Sequence, residues 1–293
     1  MEENRGFSLM AKKEKKHDAV GIWAKLGFKG AIYVMYAIIF TLMVIPLLHP
    51  LGLPTGVSEY TRAYKETVDS VPDGGVMLVF VEVEPGSEVS AGIPLIDTLK
   101  HAIEKRLKIV AVTCFDPIFS LVGEGLFSKI DWEGAGYVYG RDYVYIGYIP
   151  GEESAMAALY SDFRGMVTED YYGHPASDLP LVQQIRDHRD IDIAVLATAS
   201  TRAAPAFARQ WPSEPGRPSV ICTHIMGMGL PYYPDIFKGM VVGTKGAAEY
   251  EYLLGKPGPA IVGTDLLTLG QGFMLAIIIV TNLIYFIKRK AGE

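Results

Sequence analysis

Two stretches without a single charged residue constrain this chain more than any other feature: Gly30 to Leu48 and Leu266 to Ile287. Each is long enough to cross a bilayer core of about 30 Å, which takes roughly 20 helical residues. The first, GAIYVMYAIIFTLMVIPLL, is apolar on every face and so does not read as an amphipathic core helix. Basic residues precede it, as they do in a signal peptide. Yet the run is longer than a signal's usual apolar region of about 7–15 residues, and no small-x-small cleavage site follows Leu48. A retained anchor over residues 30–49 is expected, with Trp23, Phe28, Tyr33 and Tyr36 on its headgroup side.

The second stretch, LLTLGQGFMLAIIIVTNLIYFI, runs directly into Lys288-Arg289-Lys290. A basic triplet after an apolar run marks a cytoplasmic interface, and a span over residues 264–287 is expected. Its leading half is more polar. Asp265 reads as a helix cap, where a carboxylate near the N-terminus is stabilised. Gly270, Gln271 and Gly272 read as a helix–helix contact, because small residues permit close approach. The two readings are compatible.

Charge gives the expected sidedness. Residues 1–29 carry seven bases against four acids, and residues 288–293 three bases against one acid. With Asp265 set aside, 17 bases and 27 acids remain for the middle. Both tips therefore belong in the cytoplasm, and the acidic domain over residues 50–262 belongs outside the cytoplasmic (inner) membrane. An acidic domain without a basic stripe is a poor nucleic-acid binder. The basic run Lys12–Lys16 fits contact with anionic headgroups of the lipid bilayer, or a solvated topology signal. Cys114 and Cys222 are the only cysteines. They fit a pair in an oxidising compartment or two free thiols behaving as small hydrophobes.

Between the spans, short β-rich runs alternate with amphipathic segments, the pattern of an α/β domain with a three-layer, mainly parallel, Rossmann-like sheet. The strands are expected at Val76–Val81, Leu107–Cys114, Ile191–Ala197, Ser219–Thr223 and Met240–Val242, with a hairpin or one strand in YVYGRDYVYIGY. Helices are expected at Ser58–Val71, Ile93–Arg106, Pro117–Ile130, Glu152–Phe163, Leu181–His188, Arg202–Gln210 and Gly246–Leu254.

Open parallel sheets bind ligands beyond the carboxyl ends of their strands. Reading those ends off the sequence makes Glu84, Asp116 and His224 candidates for acid–base or metal chemistry, and Ser200 and Thr201 candidates for ligand binding. No HxxH, HExxH or CxxC spacing supports a metal site, and none is expected. Capping and turn closure are the competing roles for the same residues. No nucleotide cofactor is expected either. The connection EVEPGSEVSAGIP after the first strand is acidic and proline-bearing, where a phosphate cradle needs glycines. There is no GxSxG, and Ser87, Ser90 and Ser200 have only fold-level proximity to His224. The segment HIMGMGLPYYPDIFK places Met226, Met228, Tyr232, Tyr233 and Phe237 in what reads as an exposed, glycine-loosened loop. Exposed apolar clusters mark partner, membrane or ligand contacts, and plain packing against the rest of the domain is the alternative.

In VFVEVEPGSE, GRDYVYIGYIPG, PYYPDIFKG and GTKGAAEYEYLLGKPGPA the chain resembles a family of uncharacterised bacterial and archaeal membrane proteins with an anchor at each end and an α/β domain between. The resemblance implies an architecture and no activity. The leading expectation is a non-enzymatic interaction or scaffolding subunit, working with other membrane proteins or copies of itself. A tethered receptor for a small-molecule ligand, or a tethered hydrolase using Glu84, Asp116 and His224, are the alternatives.

Overall fold

The protein is seen in a computed structural model that describes residue 30, residues 32–53 and residues 56–291. The basic tail 1–29, with Trp23 and Phe28, lies outside the described residues. The chain divides into two units, residues 52–264 and residues 1–51 with 265–293.

The first unit is built on six strands: β1 (Val76–Glu82), β2 (Lys108–Thr113), β3 (Tyr143–Tyr148), β4 (Ile193–Thr198), β5 (Ser219–Thr223) and β6 (Phe237–Val242). All pairings are parallel, in the order β3-β2-β1-β4-β5-β6. That is the doubly wound Rossmann-like arrangement, with its topological switch between β1 and β4. Every residue of β1 is buried, which explains its unbroken apolar run: a strand covered on both faces has no polar side. Alternate side chains serve opposite layers. Leu78 and Phe80 pack with α5 (Glu153–Ser161) and α8 (Ala203–Gln210) through Met156, Leu159 and Phe207. Met77, Val79 and Val81 pack with α2 (Glu59–Asp69), α3 (Ile93–Glu104) and α10 (Gly243–Leu254) through Tyr64, Leu99 and Tyr250. Cys114 belongs to the first layer and Cys222 to the second, and both are free thiols.

Between β2 and β3 lies α4 (Pro117–Phe127); the single-turn helices α6 (Phe163–Met166), α7 (Pro180–Gln184) and α9 (Met226–Gly229) complete this unit. Of the two forms expected for the YVYGRDYVYIGY segment, it takes the single strand: Tyr139 forms only an isolated bridge with Tyr143, while β3 pairs along its length with β2. Two expectations need correction here. The helix expected over Leu181–His188 stops at Gln184 because Ile185 turns extended into the core, and Asp187 then caps a separate turn through the Arg189 N–H. The last strand starts three residues early, at Phe237. Gly239 makes that possible, since a Cβ there would collide with the Tyr64 backbone of α2.

The second unit holds α1 (Ile32–Leu48) and most of α11 (Pro259–Ala291). Over Pro259–Ile287, α11 is long and apolar enough to cross a membrane, and among the described residues it alone is. Thr281 and Asn282 satisfy their own polar groups on the helix, each donating to the Ile278 carbonyl. The described part of α1 is apolar but shorter, about 25 Å at 1.5 Å per residue, so a first spanning helix over residues 30–49 is not shown. Asp265 is not the helix cap expected of it. The helix starts at Pro259, and the buried Asp265 carboxylate instead accepts the Leu51 N–H at 2.8 Å.

Candidate functional site at the carboxyl edge of the sheet

In this strand order β4 lies between β1 and β5, so the connections leaving β1 and β5 meet over the end of β4. The connection after β1 turns through Pro85-Gly86, with the Ser87 N–H donating to the Glu84 carbonyl, and enters a π-helical turn at Glu88–Gly92 that runs on into α3. The connection after β5 begins at His224, whose backbone N–H donates to the Thr198 carbonyl of β4. These two anchors bring Ser90 Oγ to 2.8 Å from His224 Nδ1. His224 is exposed and Ser90 half-buried.

Glu82, at the end of β1, forms the acidic floor of this edge. It is fully buried, and its carboxyl group accepts the N–H groups of Cys114 (2.6 Å) and Phe115 (3.2 Å). Burial pushes its pKa from 4.5 up to about 8, against the pull of those two amides. Glu82 is therefore mostly neutral at pH 7. Arg202, after β4, reaches across to Glu152 at 2.8 Å and lies over the Phe115 ring.

The candidates taken from the sequence separate into groups. Asp116 caps α4 by accepting the Ile118 N–H at 2.9 Å, a capping role in place of acid–base or metal chemistry. Glu84 closes a turn through its carbonyl. His224 finds a serine as its partner. Among the described residues no group of three His, Cys, Asp or Glu could hold a metal. Ser200 is buried, donating its N–H to Thr198 Oγ1 and accepting that of Arg202, while Thr201 is exposed beside it.

The segment after His224 is not the open loop expected. It folds into α9 and a 3-10 turn over Leu230–Tyr232. Phe237 is fully buried against Phe207, and Met228 is buried with its sulfur on the Thr223 hydroxyl. Tyr232 packs edge-on to Phe237, and Tyr233 edge-on to Tyr60. Met226 remains at the surface, joined by Ile225 and Leu230, which the sequence did not single out. Val89, Ile118 and Leu121, in the segments that follow β1 and β2, are exposed as well. Polar centre and apolar rim thus come from the five connections after β1 to β5, which only the strand order relates to one another.

The fold and this edge define a class: a Rossmann-like α/β domain in a chain that also carries a helix of membrane-spanning length. No protein-family model and no curated protein matches the chain.

Proposed function

We propose that the protein is a membrane-anchored interaction or scaffolding subunit, whose α/β domain presents its carboxyl edge to a partner membrane protein or a second copy. The observation that carries this reading is the apolar rim. Val89, Ile118, Leu121, Ile225 and Leu230 are between 46% and 62% exposed, and all belong to the segments that leave the carboxyl ends of β1, β2 and β5. Apolar side chains gathered at one edge of a domain are covered at low cost by a complementary surface.

Anchoring is part of the proposal. The apolar, outward-facing residues of α1, Tyr33, Phe40 and Leu48 among them, suit a second contact with the bilayer. The basic tips support a two-pass arrangement with both termini cytoplasmic and the acidic domain outside, the architecture of the membrane-protein family that the sequence resembles. The exposed Gly270–Gln271–Gly272 patch supports a partner helix at α11.

Purification of the full chain from its native membrane in mild detergent, followed by mass measurement, tests the reading. A discrete stoichiometric assembly is expected, and Ile225→Asp with Leu121→Asp should dissociate it. A lone chain would overturn it. A cleft of about 430 Å³ lined by Ser120, Tyr148, Thr168, Glu169 and Tyr171 supports a second reading, a small-solute receptor. A solute that co-purifies with a monomer would favour that one.

A further inference from the structure

We propose that Ser90 and His224 form a nucleophile–base pair that hydrolyses neutral esters with an apolar acyl chain. This goes beyond an interaction role and stands on different residues. The pairing is one of geometry: two connections separated by more than a hundred residues deliver a hydroxyl and an imidazole to 2.8 Å at the switch point of a parallel sheet. Ser90 has one hydroxyl proton and two acceptors in reach, His224 Nδ1 at 2.8 Å and the Ser87 carbonyl at 3.2 Å. The shorter contact favours the arrangement in which Ser90 donates to the ring, with the ring proton on Nε2. His224 itself is open to solvent, as a base that must exchange protons with substrate and water requires.

The surroundings select the substrate. Val89, next to Ser90 in the chain, and Ile225 and Met226, which follow His224, are exposed apolar side chains flanking the pair in sequence. Of the acids on these connections Glu88 pairs with Lys129 and Glu152 with Arg202, while Glu84 and Asp116 make no ion pair among the described residues, a local negative field that disfavours phosphate esters. In the first step Ser90 Oγ attacks the ester carbonyl carbon and its proton passes to His224 Nδ1. The carbon–oxygen bond to the alcohol then breaks, and the alcohol leaves with that proton. Water next attacks the acyl-Ser90 ester and gives a proton to His224. The acyl–Oγ bond breaks, the proton returns to Ser90, and the carboxylic acid departs.

The test uses the full chain in mild-detergent micelles with an alkyl fluorophosphonate and 4-nitrophenyl esters of acetate and octanoate. The expected result is a phosphonyl adduct located on Ser90 by peptide mass spectrometry, with octanoate turned over faster than acetate. Ser90→Ala should remove adduct and turnover, and His224→Gln should slow both by at least about 100-fold. Ser161→Ala, on the far helix α5, should match the unaltered protein. An unlabelled folded protein, or an adduct on any other serine, overturns the proposal, and adduct mapping on the unaltered chain decides it even where a variant fails to fold. Equal turnover of acetate and octanoate overturns the substrate class.

Discussion

Glu251 of α10 receives the backbone N–H of Ile261 at 2.8 Å, and the same carboxylate takes those of Gly258 and Ala260 at 2.9 Å each. A buried acid thus supplies the acceptor that the first turn of α11 lacks, because the leading amides of any helix have no partner within it. The side chain comes from seven or more residues upstream, so it caps from a neighbouring helix. Glu251→Ala should leave three N–H groups unmet, two of them buried, and cost about 3–5 kcal/mol, while Glu251→Gln keeps the shape and should cost about 1–3 kcal/mol. Urea unfolding followed by tryptophan fluorescence of the α/β domain measures both.

Asp97 lies on α3 beside that carboxylate and is buried, and its Oδ2 has no hydrogen-bond partner. Burial first, then the Glu251 charge, raises its pKa from 3.8 to about 7 against the pull of Lys100. Both Asp97 and Glu82 therefore hold a proton more tightly when folded. Their contribution is fully present below about pH 4 and is lost as pH rises through 7 and 8. The domain should lose on the order of 7 kcal/mol between pH 5 and pH 8.5 from these two groups. Asp97→Asn and Glu82→Gln should each flatten that slope and raise the melting temperature at pH 8.5. An unchanged slope in both variants would show that other groups set the pH dependence.

Much of this fold was legible because buried parallel strands leave a plain trace. Val76–Val81 and Ser219–Thr223 read as strands from apolar runs bounded by turn residues, and the sheet contains both. Elements fixed by distant contacts left no such trace. The start of α11 depends on Glu251, and the start of β6 depends on Gly239 meeting Tyr64. The site shows the same division. His224 was visible as a strand end, but its pairing with Ser90 follows only from β4 being inserted between β1 and β5. Sequence distance carries no record of that order.

Gly239 offers a direct check on this packing. Its missing side chain lets the α2 backbone at Tyr64 lie against β6, and Tyr64 in turn hydrogen-bonds Thr98 at 2.8 Å and Cys222 at 3.2 Å. Gly239→Ala must push α2 outward and break that buried network. A loss of about 3 kcal/mol or more is expected, at the upper end for overpacking because the colliding atoms are backbone. Tyr64→Phe removes only the hydroxyl and should cost about 1–2 kcal/mol. If the two variants were equally stable, the close approach of α2 to β6 would not be what holds Gly239 as glycine.

Gly270 and Gly272 pose the converse case, since a side chain added at either would meet open space. Within one chain their replacement costs nothing sterically, and leaving glycine behind in a helix interior gains roughly 0.5–1 kcal/mol. Gly270→Leu with Gly272→Leu should therefore leave the melting temperature of the α/β domain unchanged. If the proposed partner helix packs against this patch, the added side chains hold the two backbones apart, and association in the bilayer has little hydrophobic drive to compensate. The assembly recovered in mild detergent should then lose mass while each chain stays folded. An assembly of unchanged mass would remove α11 from the contact and leave the carboxyl-edge rim as the whole of it.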